Sequence, residues 1–186
     1  MYAKFLVGAS LVAALSGCPG NVSGTVSGIS LGVADTLFYV QKDTDGKTIA
    51  FNTIIADKGN VCTTLKANRQ PKSATFMQMI LFRWADDGKN LAPDVGEYTV
   101  VDTTPTKGGN WAYATFNHSD ANCTNTLAAS ASSGKSGLIK VTGVNAANNG
   151  NISGTFDISF GSDKVTGSFN GAYCDLATVP NNPSCE

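Results

Sequence analysis

The sequence contains a single histidine, His118, and its only glutamate before the last residue is Glu97. His118 stands in the run Asn117-His118-Ser119-Asp120, which contains the residue types of a serine hydrolase triad. Consecutive residues of a strand point to opposite faces of a sheet, so neighbours in sequence do not converge as a triad must. Paired carboxylates for glycoside hydrolysis have little support, because most aspartates stand in turn sequences. The sequence therefore predicts that the protein is not an enzyme, and a hydrolase is the least favoured alternative.

Charge and metal-binding patterns are also sparse. Only 15% of the residues are charged, the formal net charge is −1 and no basic cluster is present, so a nucleic-acid partner is not expected. The cysteines form no C-x2-C pair, which argues against a zinc site. Asp43-x-Asp45-Gly46 resembles the start of a calcium loop, but Ile54 stands where an EF-hand has its glutamate. We predict neither a bound metal nor a cofactor.

No apolar run reaches the roughly 20 residues that a membrane-spanning helix needs. The N-terminal run Phe5–Leu15 is uncharged and mostly apolar, and it follows a short start that carries Lys4. A positive start, an apolar core of this length and small residues at its end describe a secretory signal. Residues 1–17 are therefore predicted to be a signal peptide.

The end of this segment reads Leu15-Ser16-Gly17-Cys18. It resembles the lipobox of bacterial lipoproteins, in which a leucine and two small residues precede a cysteine. The resemblance implies cleavage before Cys18, diacylglycerol on its thiol and a further acyl chain, such as palmitate, on the new amine. A conventional signal peptide followed by a chance cysteine is the alternative. Pro19 replaces the aspartate that retains such proteins in the inner membrane, so an outer-membrane anchor is expected.

Residues 18–21 then form a short lipidated linker, and residues 22–186 a single domain. The domain contains four further cysteines, an even number in an oxidising compartment, so two disulfides are expected. Three pairings are possible. We predict Cys62–Cys123 and Cys174–Cys185, the second of which would tie the proline-containing tail to the last strand.

Short runs of alternating apolar and polar residues recur along the chain, separated by turn sequences such as Asp43–Lys47. Strands are predicted at Val22–Val26, Leu37–Val40, Thr48–Ala56, Ala74–Trp84, Glu97–Val101, Trp111–His118 and Leu138–Val144, and in a hairpin over 152–173. Asn60–Asn68 is predicted to be a short helix and Ala128–Lys135 a loop. The predicted fold is all-β: an antiparallel β-sandwich or barrel-like arrangement with one short helix, cross-linked by disulfides.

The segment Ala74–Trp84 is apolar on both faces, so as a strand it needs cover on both sides. It can be a central strand between an opposing sheet and the short helix. Alternatively, one face is a surface for a ligand or a partner. On that second interpretation Met77, Met79 and Trp84, together with Trp111, line an apolar ligand-binding cleft.

Three patterns follow one another near the C-terminus: G-L-I-K-V-T at 137–142, I-S-G-T-F-D at 152–157 and V-T-G-S-F at 165–169, ahead of Cys174. This order resembles small β-rich lipoproteins of myxobacteria over roughly the last 50 residues. The resemblance implies the class and the envelope location, and no activity. The leading hypothesis is a membrane-anchored, non-enzymatic binding or structural module for a protein or surface partner. The alternative is a binder of a small apolar ligand or a glycan.

Overall fold

A computed structural model of the protein describes residues 20–176 and 183–186. The predicted signal peptide and Cys18 lie outside these ranges. The strands are β1 (Gly20–Val26), β2 (Ile29–Ser30), β3 (Asp35–Lys42), β4 (Thr48–Ala56), β5 (Arg69–Gln70), β6 (Thr75–Trp84), β7 (Asn90–Leu91), β8 (Gly96–Val100), β9 (Gly109–His118), β10 (Ser136–Val144), β11 (Asn151–Phe160), β12 (Asp163–Tyr173) and β13 (Ser184–Cys185). The helices are α1 (Val61–Lys66) and α2 (Ala129–Ser132).

Eight strands close into a barrel in the order β3, β4, β6, β9, β8, β10, β11, β12. Closure occurs at β12, which pairs with β11 along its length and with β3 through Ala172 and Tyr173. The all-β class is confirmed, and of the two predicted arrangements, a sandwich or a barrel-like sheet, the structure has the barrel. The β8–β9 and β12–β3 pairs are parallel, in contrast to the fully antiparallel arrangement that the sequence predicts. Alternation along a strand indicates its buried face, but it does not indicate which strand edges meet.

Apolar side chains fill the inside of the barrel. Those with less than 2% of their surface exposed include Tyr98, Phe38, Phe116, Ile55, Met77, Met79, Leu81, Ile139, Ile152 and Ile158. An eight-stranded barrel has an interior just wide enough for side chains to fill it. The interior is therefore a packed core, and the surfaces open to a partner are those on the outside of the barrel.

Two glycines of the β11–β12 hairpin each face a phenylalanine on the opposite strand. Gly154 is paired with Phe169, and Gly167 with Phe156. A Cβ atom added at Gly154 would lie 2.6 Å from the Phe169 ring, and one added at Gly167 would lie 2.7 Å from the Phe156 ring. The Gly-x-Phe spacing, present once in each strand, thus produces two reciprocal pairs in which each ring occupies the space above the opposing glycine.

The helices differ in part from the expectation. The helix predicted over Asn60–Asn68 is confirmed, although α1 is shorter, and its first backbone N–H donates to the Asp35 carboxylate at 2.9 Å. This bond holds α1 against the outer face of the barrel beside the start of β3. The segment Ala128–Lys135, predicted to be a loop, contains the single turn α2. Two backbone N–H groups there bond to the Ala128 carbonyl at 2.9 and 3.0 Å, and its small side chains give no periodic signal.

Two disulfides are present, as predicted, but with a different connectivity. Cys62 is bonded to Cys174 and Cys123 to Cys185, with Cα atoms 5.7 and 5.6 Å apart. The predicted pairs Cys62–Cys123 and Cys174–Cys185 are therefore wrong. The reason is the path of the chain end: β13 pairs with β5, where Gln70 donates to the Cys123 carbonyl at 3.2 Å, so Cys185 arrives beside Cys123. Cys174 follows β12 directly, at the point where this strand meets β3.

Candidate functional site

The two faces of β6 have different environments. Met77, Met79 and Leu81 point into the barrel and are fully buried. The residues that alternate with them, among them Ile80 and Phe82, point outward because successive side chains of a strand lie on opposite faces. α1 covers only the beginning of this outer face, where Phe76 joins a small apolar cluster around the helix. The predicted cover by the short helix is therefore confirmed for the beginning of the strand.

The uncovered part of the outer face of β6 and the adjacent part of β9 carry five large apolar side chains. We call this surface the aromatic face: Ile80, Phe82, Trp84, Trp111 and Tyr113. Ile80 is paired with Tyr113 and Phe82 with Trp111 across the two strands. The Phe82 ring stacks on Tyr113 at 5.1 Å and lies 5.5 Å from the Trp84 ring. Phe82 is buried among its neighbours, and the other four are partly exposed.

Trp111 is held at the edge of this face by its own loop. Its indole N–H donates to the Lys107 carbonyl at 3.2 Å. Gly109 makes room for the ring, since a Cβ atom there would lie 3.2 Å from the indole and φ is 150°. Beside the indole lies a cleft of about 290 Å³, also lined by Val101, Thr103, Thr104, Pro105, Thr106 and Lys107. The cleft thus combines one aromatic ring with three threonine hydroxyls.

The aromatic face continues across β8 and β10. Thr99 is paired with both Trp111 and Leu138, and 40% of the Leu138 surface is exposed. On the β4 side the neighbours are uncharged amides, where Gln78 donates to the Asn52 carbonyl oxygen at 3.2 Å. The face is therefore bordered by amides on the β4 side and by the Glu97–Lys140 ion pair on the β8 side.

A second depression lies under α1, on the same outer surface but near the beginning of β6. It has a volume of about 220 Å³ and is lined mainly by apolar side chains, among them Tyr39, Ile54, Leu65, Phe76 and Leu176. Burial raises the pKa of the Tyr39 hydroxyl, and the Gln78 side chain, 3.5 Å away, partly offsets this. This groove can accept an apolar group, but it has few polar groups that would orient a ligand.

The residues considered for catalysis are each engaged in structural contacts. His118 Nδ1 lies 3.0 Å from the Thr75 hydroxyl, and the Ser119 hydroxyl donates to the Pro71 carbonyl at 3.3 Å. The Asp120 carboxylate accepts two backbone N–H bonds in its own turn, at 2.8 and 2.9 Å. Asp43 does the same at the β3–β4 hairpin, so its carboxylate shapes the turn. Within residues 20–176 and 183–186, no group of three or more His, Cys, Asp or Glu side chains is arranged to hold a metal ion.

The four residues predicted to line one cleft are separated by the barrel wall. Met77 and Met79 belong to the core, whereas Trp84 and Trp111 lie on the aromatic face. They do not share a cleft, because the methionines and Trp84 occupy opposite faces of β6. Tyr113 was not predicted as a site residue. The signal that could have found it is its spacing, because Tyr113 lies two positions after Trp111 and therefore on the same face of the strand.

Of the helices in the described ranges, none has the length and apolar character needed to cross a membrane. Comparison with known proteins gives no match to a protein-family model, to a curated protein or to a solved structure. The geometry of the aromatic face and the N-terminal sequence are therefore the grounds on which a function is proposed.

Proposed function

We propose that this chain is a non-enzymatic lipoprotein of the cell envelope, anchored in the outer membrane through Cys18, whose barrel binds a partner on the aromatic face. The observation that carries the proposal is the aromatic face itself. Four of its five large side chains are partly exposed on rigid neighbouring strands. Contiguous apolar surface of this kind is typical of interaction sites, and tryptophan and tyrosine are enriched where binding energy concentrates.

The cysteines support an extracytoplasmic location. Both disulfides join segments distant in sequence, with separations of 112 and 62 residues. Structural disulfides persist in oxidising compartments and are rare in the reducing cytosol. The signal-like segment 1–17 and the lipobox ending at Cys18 agree with export to such a compartment.

The path of the chain supports a defined orientation on the membrane. Gly20 is paired with Phe169 on β12, and Leu37 of β3 is paired with Ala172 on the same strand. The two points are separated by about 10 Å along β12, at ~3.4 Å per residue. Cys18 precedes Gly20 by two residues, which span at most ~7 Å. The lipid anchor would therefore lie close to the start of β3.

The aromatic face lies toward the other end of the neighbouring strands. Asp35 at the start of β3 is level with Ala56, which is paired with Phe76 near the start of β6. Trp84 follows Phe76 by eight positions, or about 27 Å along the strand. An anchor at Cys18 would thus hold the membrane beside the start of β3 and leave the aromatic face accessible from the aqueous side.

The anchor is tested with Cys18→Ser. We expect wild-type protein to incorporate a labelled fatty acid and to fractionate with membranes, because several acyl chains hold a protein stably. The variant should be exported and folded, but unlabelled and soluble, since the net charge of −2 on residues 18–186 gives no attraction to an anionic surface. Unlabelled wild-type protein, or a variant that stays in the membrane fraction, would refute the anchor.

The binding surface is tested by site-specific photo-crosslinking in native cells. A photoreactive residue at Tyr113 should give a specific adduct of higher mass. The same residue at Thr155, an exposed position of β11, is the matched control and should not. Equal adducts from both positions, or none from Tyr113, would count against the aromatic face as the binding surface.

A further inference from the structure

We propose that the aromatic face and the cleft beside Trp111 together bind an uncharged polysaccharide chain of the cell envelope. This inference rests on the proposed function and specifies the chemistry of its partner. Its elements are the partly exposed aromatic side chains, the three threonines that line the cleft beside Trp111, and the presence of a single charged residue in that lining.

The ring faces match one side of a sugar. A pyranose presents a patch of C–H bonds on one face and hydroxyl groups around its edge. Aromatic rings carry negative charge density on their faces, so polarised C–H bonds pack favourably against them. Trp84, Trp111 and Tyr113 offer rings on a rigid sheet, and an extended chain can lie across several of them without a deep pocket.

The cleft supplies the complementary polar groups. Its volume of about 290 Å³ is just below the ~300–1,000 Å³ range of small-molecule sites. Thr103, Thr104 and Thr106 line it with Trp111, and each hydroxyl can both donate and accept a hydrogen bond, as sugar hydroxyls do. Threonine is under-represented among the residues that dominate protein–protein binding, so this lining favours a glycan over a protein partner.

The nearby charges do not favour a charged polymer. Glu97 and Lys140 form an ion pair at 3.5 Å, which offsets their charges. Arg83 keeps its charge, but it lies on the opposite face of β6 from Phe82 and Trp84. Lys107 is the one charged residue among those that line the cleft. Polyanion binding depends on several basic side chains acting together. The electrostatics therefore favour a neutral chain.

The protein carries its own reporter for the test. It has two tryptophans, Trp84 and Trp111, and both belong to the aromatic face. The full-length lipidated protein in phospholipid nanodiscs is titrated with cellohexaose, with chitohexaose and with the neutral polysaccharide fraction of the native host's envelope. We expect a saturable change in tryptophan emission with the host fraction or a hexasaccharide, and none with polygalacturonate.

Single-residue variants test whether glycan binding depends on the aromatic face. Trp111→Ala should weaken binding about tenfold, equivalent to about 1.4 kcal/mol, as measured by calorimetry. Trp84→Phe keeps a ring and should retain most of the affinity, whereas Trp84→Ala should not. Tyr173→Ala removes a partly exposed aromatic residue away from the face and is the matched control. Thermal unfolding of each variant establishes that it is folded.

Two results would overturn the inference: an unchanged emission with all the neutral probes, or equal affinities for folded Trp111→Ala and wild type. A protein adduct at Tyr113 without glycan binding would remove this inference and leave the proposed function intact. The loss of both glycan binding and the Tyr113 adduct would reject both.

Discussion

Replacing Gly154 by alanine should destabilise the barrel through clashes with the Lys140 carbonyl oxygen and the ring of Phe169. An added Cβ atom would lie 2.6 Å from that ring and would also meet the Lys140 carbonyl oxygen. The backbone oxygen belongs to a paired strand and the ring is buried in the core, so neither can move freely. Alanine restricts the unfolded chain more than glycine does, which by itself would stabilise the fold by about 0.5–1 kcal/mol.

The clash should outweigh this entropic gain. Overpacking a well-filled core typically costs 1–3 kcal/mol, and here both a ring and a backbone atom must shift. We therefore expect Gly154→Ala to lower the free energy of unfolding by about 2 kcal/mol net. At 2–4 °C per kcal/mol for a domain of this size, the melting temperature should fall by roughly 4–8 °C.

The assay is urea and thermal unfolding with the disulfides intact. Gly59→Ala is the control, because nothing lies within 4 Å of an added Cβ atom there. It should be neutral or slightly stabilising. Phe169→Leu in the Gly154→Ala background should recover part of the loss, because the shorter side chain vacates the space that the new methyl group needs. If Gly154→Ala unfolds at the same temperature as Gly59→Ala, the reciprocal packing is refuted.

Two further predictions concern the Cys62–Cys174 disulfide and the buried hydroxyl of Tyr98. Replacing both Cys62 and Cys174 by serine should lower the free energy of unfolding in urea by roughly 3–5 kcal/mol, because that bond closes a loop of 112 residues. Burial raises the pKa of Tyr98 above 10.0, so its stabilising contribution is complete below about pH 10 and is lost as the pH rises further. Tyr98→Phe should therefore reduce the alkaline loss of stability in urea unfolding series at about pH 9 and pH 11, although it also removes the 2.7 Å bond to the Asp94 carbonyl.

Each of these two predictions has a clear negative outcome. A cost below about 1 kcal/mol for the serine pair would show that the Cys62–Cys174 bond does not constrain the unfolded chain as its loop length implies. A Tyr98→Phe variant with the same slope of stability against pH as the wild type would show that Tyr98 does not control the alkaline limit.

The sequence predicts the strands well because each strand buries one face, and period-two alternation reports that directly. It also predicts the unusual character of Ala74–Trp84, whose two faces proved to differ in their cover. The sequence could not predict how the barrel closes, because the Ala172–Leu37 pairing joins residues far apart in the chain. The predicted disulfide pairing was wrong for the same reason, because it depends on the long-range pairing of β13 with β5, which brings Cys185 beside Cys123.

The candidate site was predicted only in part. Trp84 and Trp111 stand out as the two tryptophans of the chain. Their meeting on one face depends on the β6–β9 register, which pairs Phe82 with Trp111. The cleft depends on how residues 101–108 fold back beside the indole, and local composition does not specify that path. Grouping Met77 with Trp84 overlooked the strand alternation that separates them.

The closure at β12 also bears on how the protein is made. β12, the last long strand, is paired both with β1, through Gly20–Gly24, and with the start of β3. Neither contact can form until residues 163–173 are present, so a chain emerging from its N-terminus must wait with β1 and β3 unpaired on those edges. Exposed strand edges invite association with other chains, and pairing between distant segments is slow. Until residues 163–173 are present, those edges should therefore be open to association with other chains.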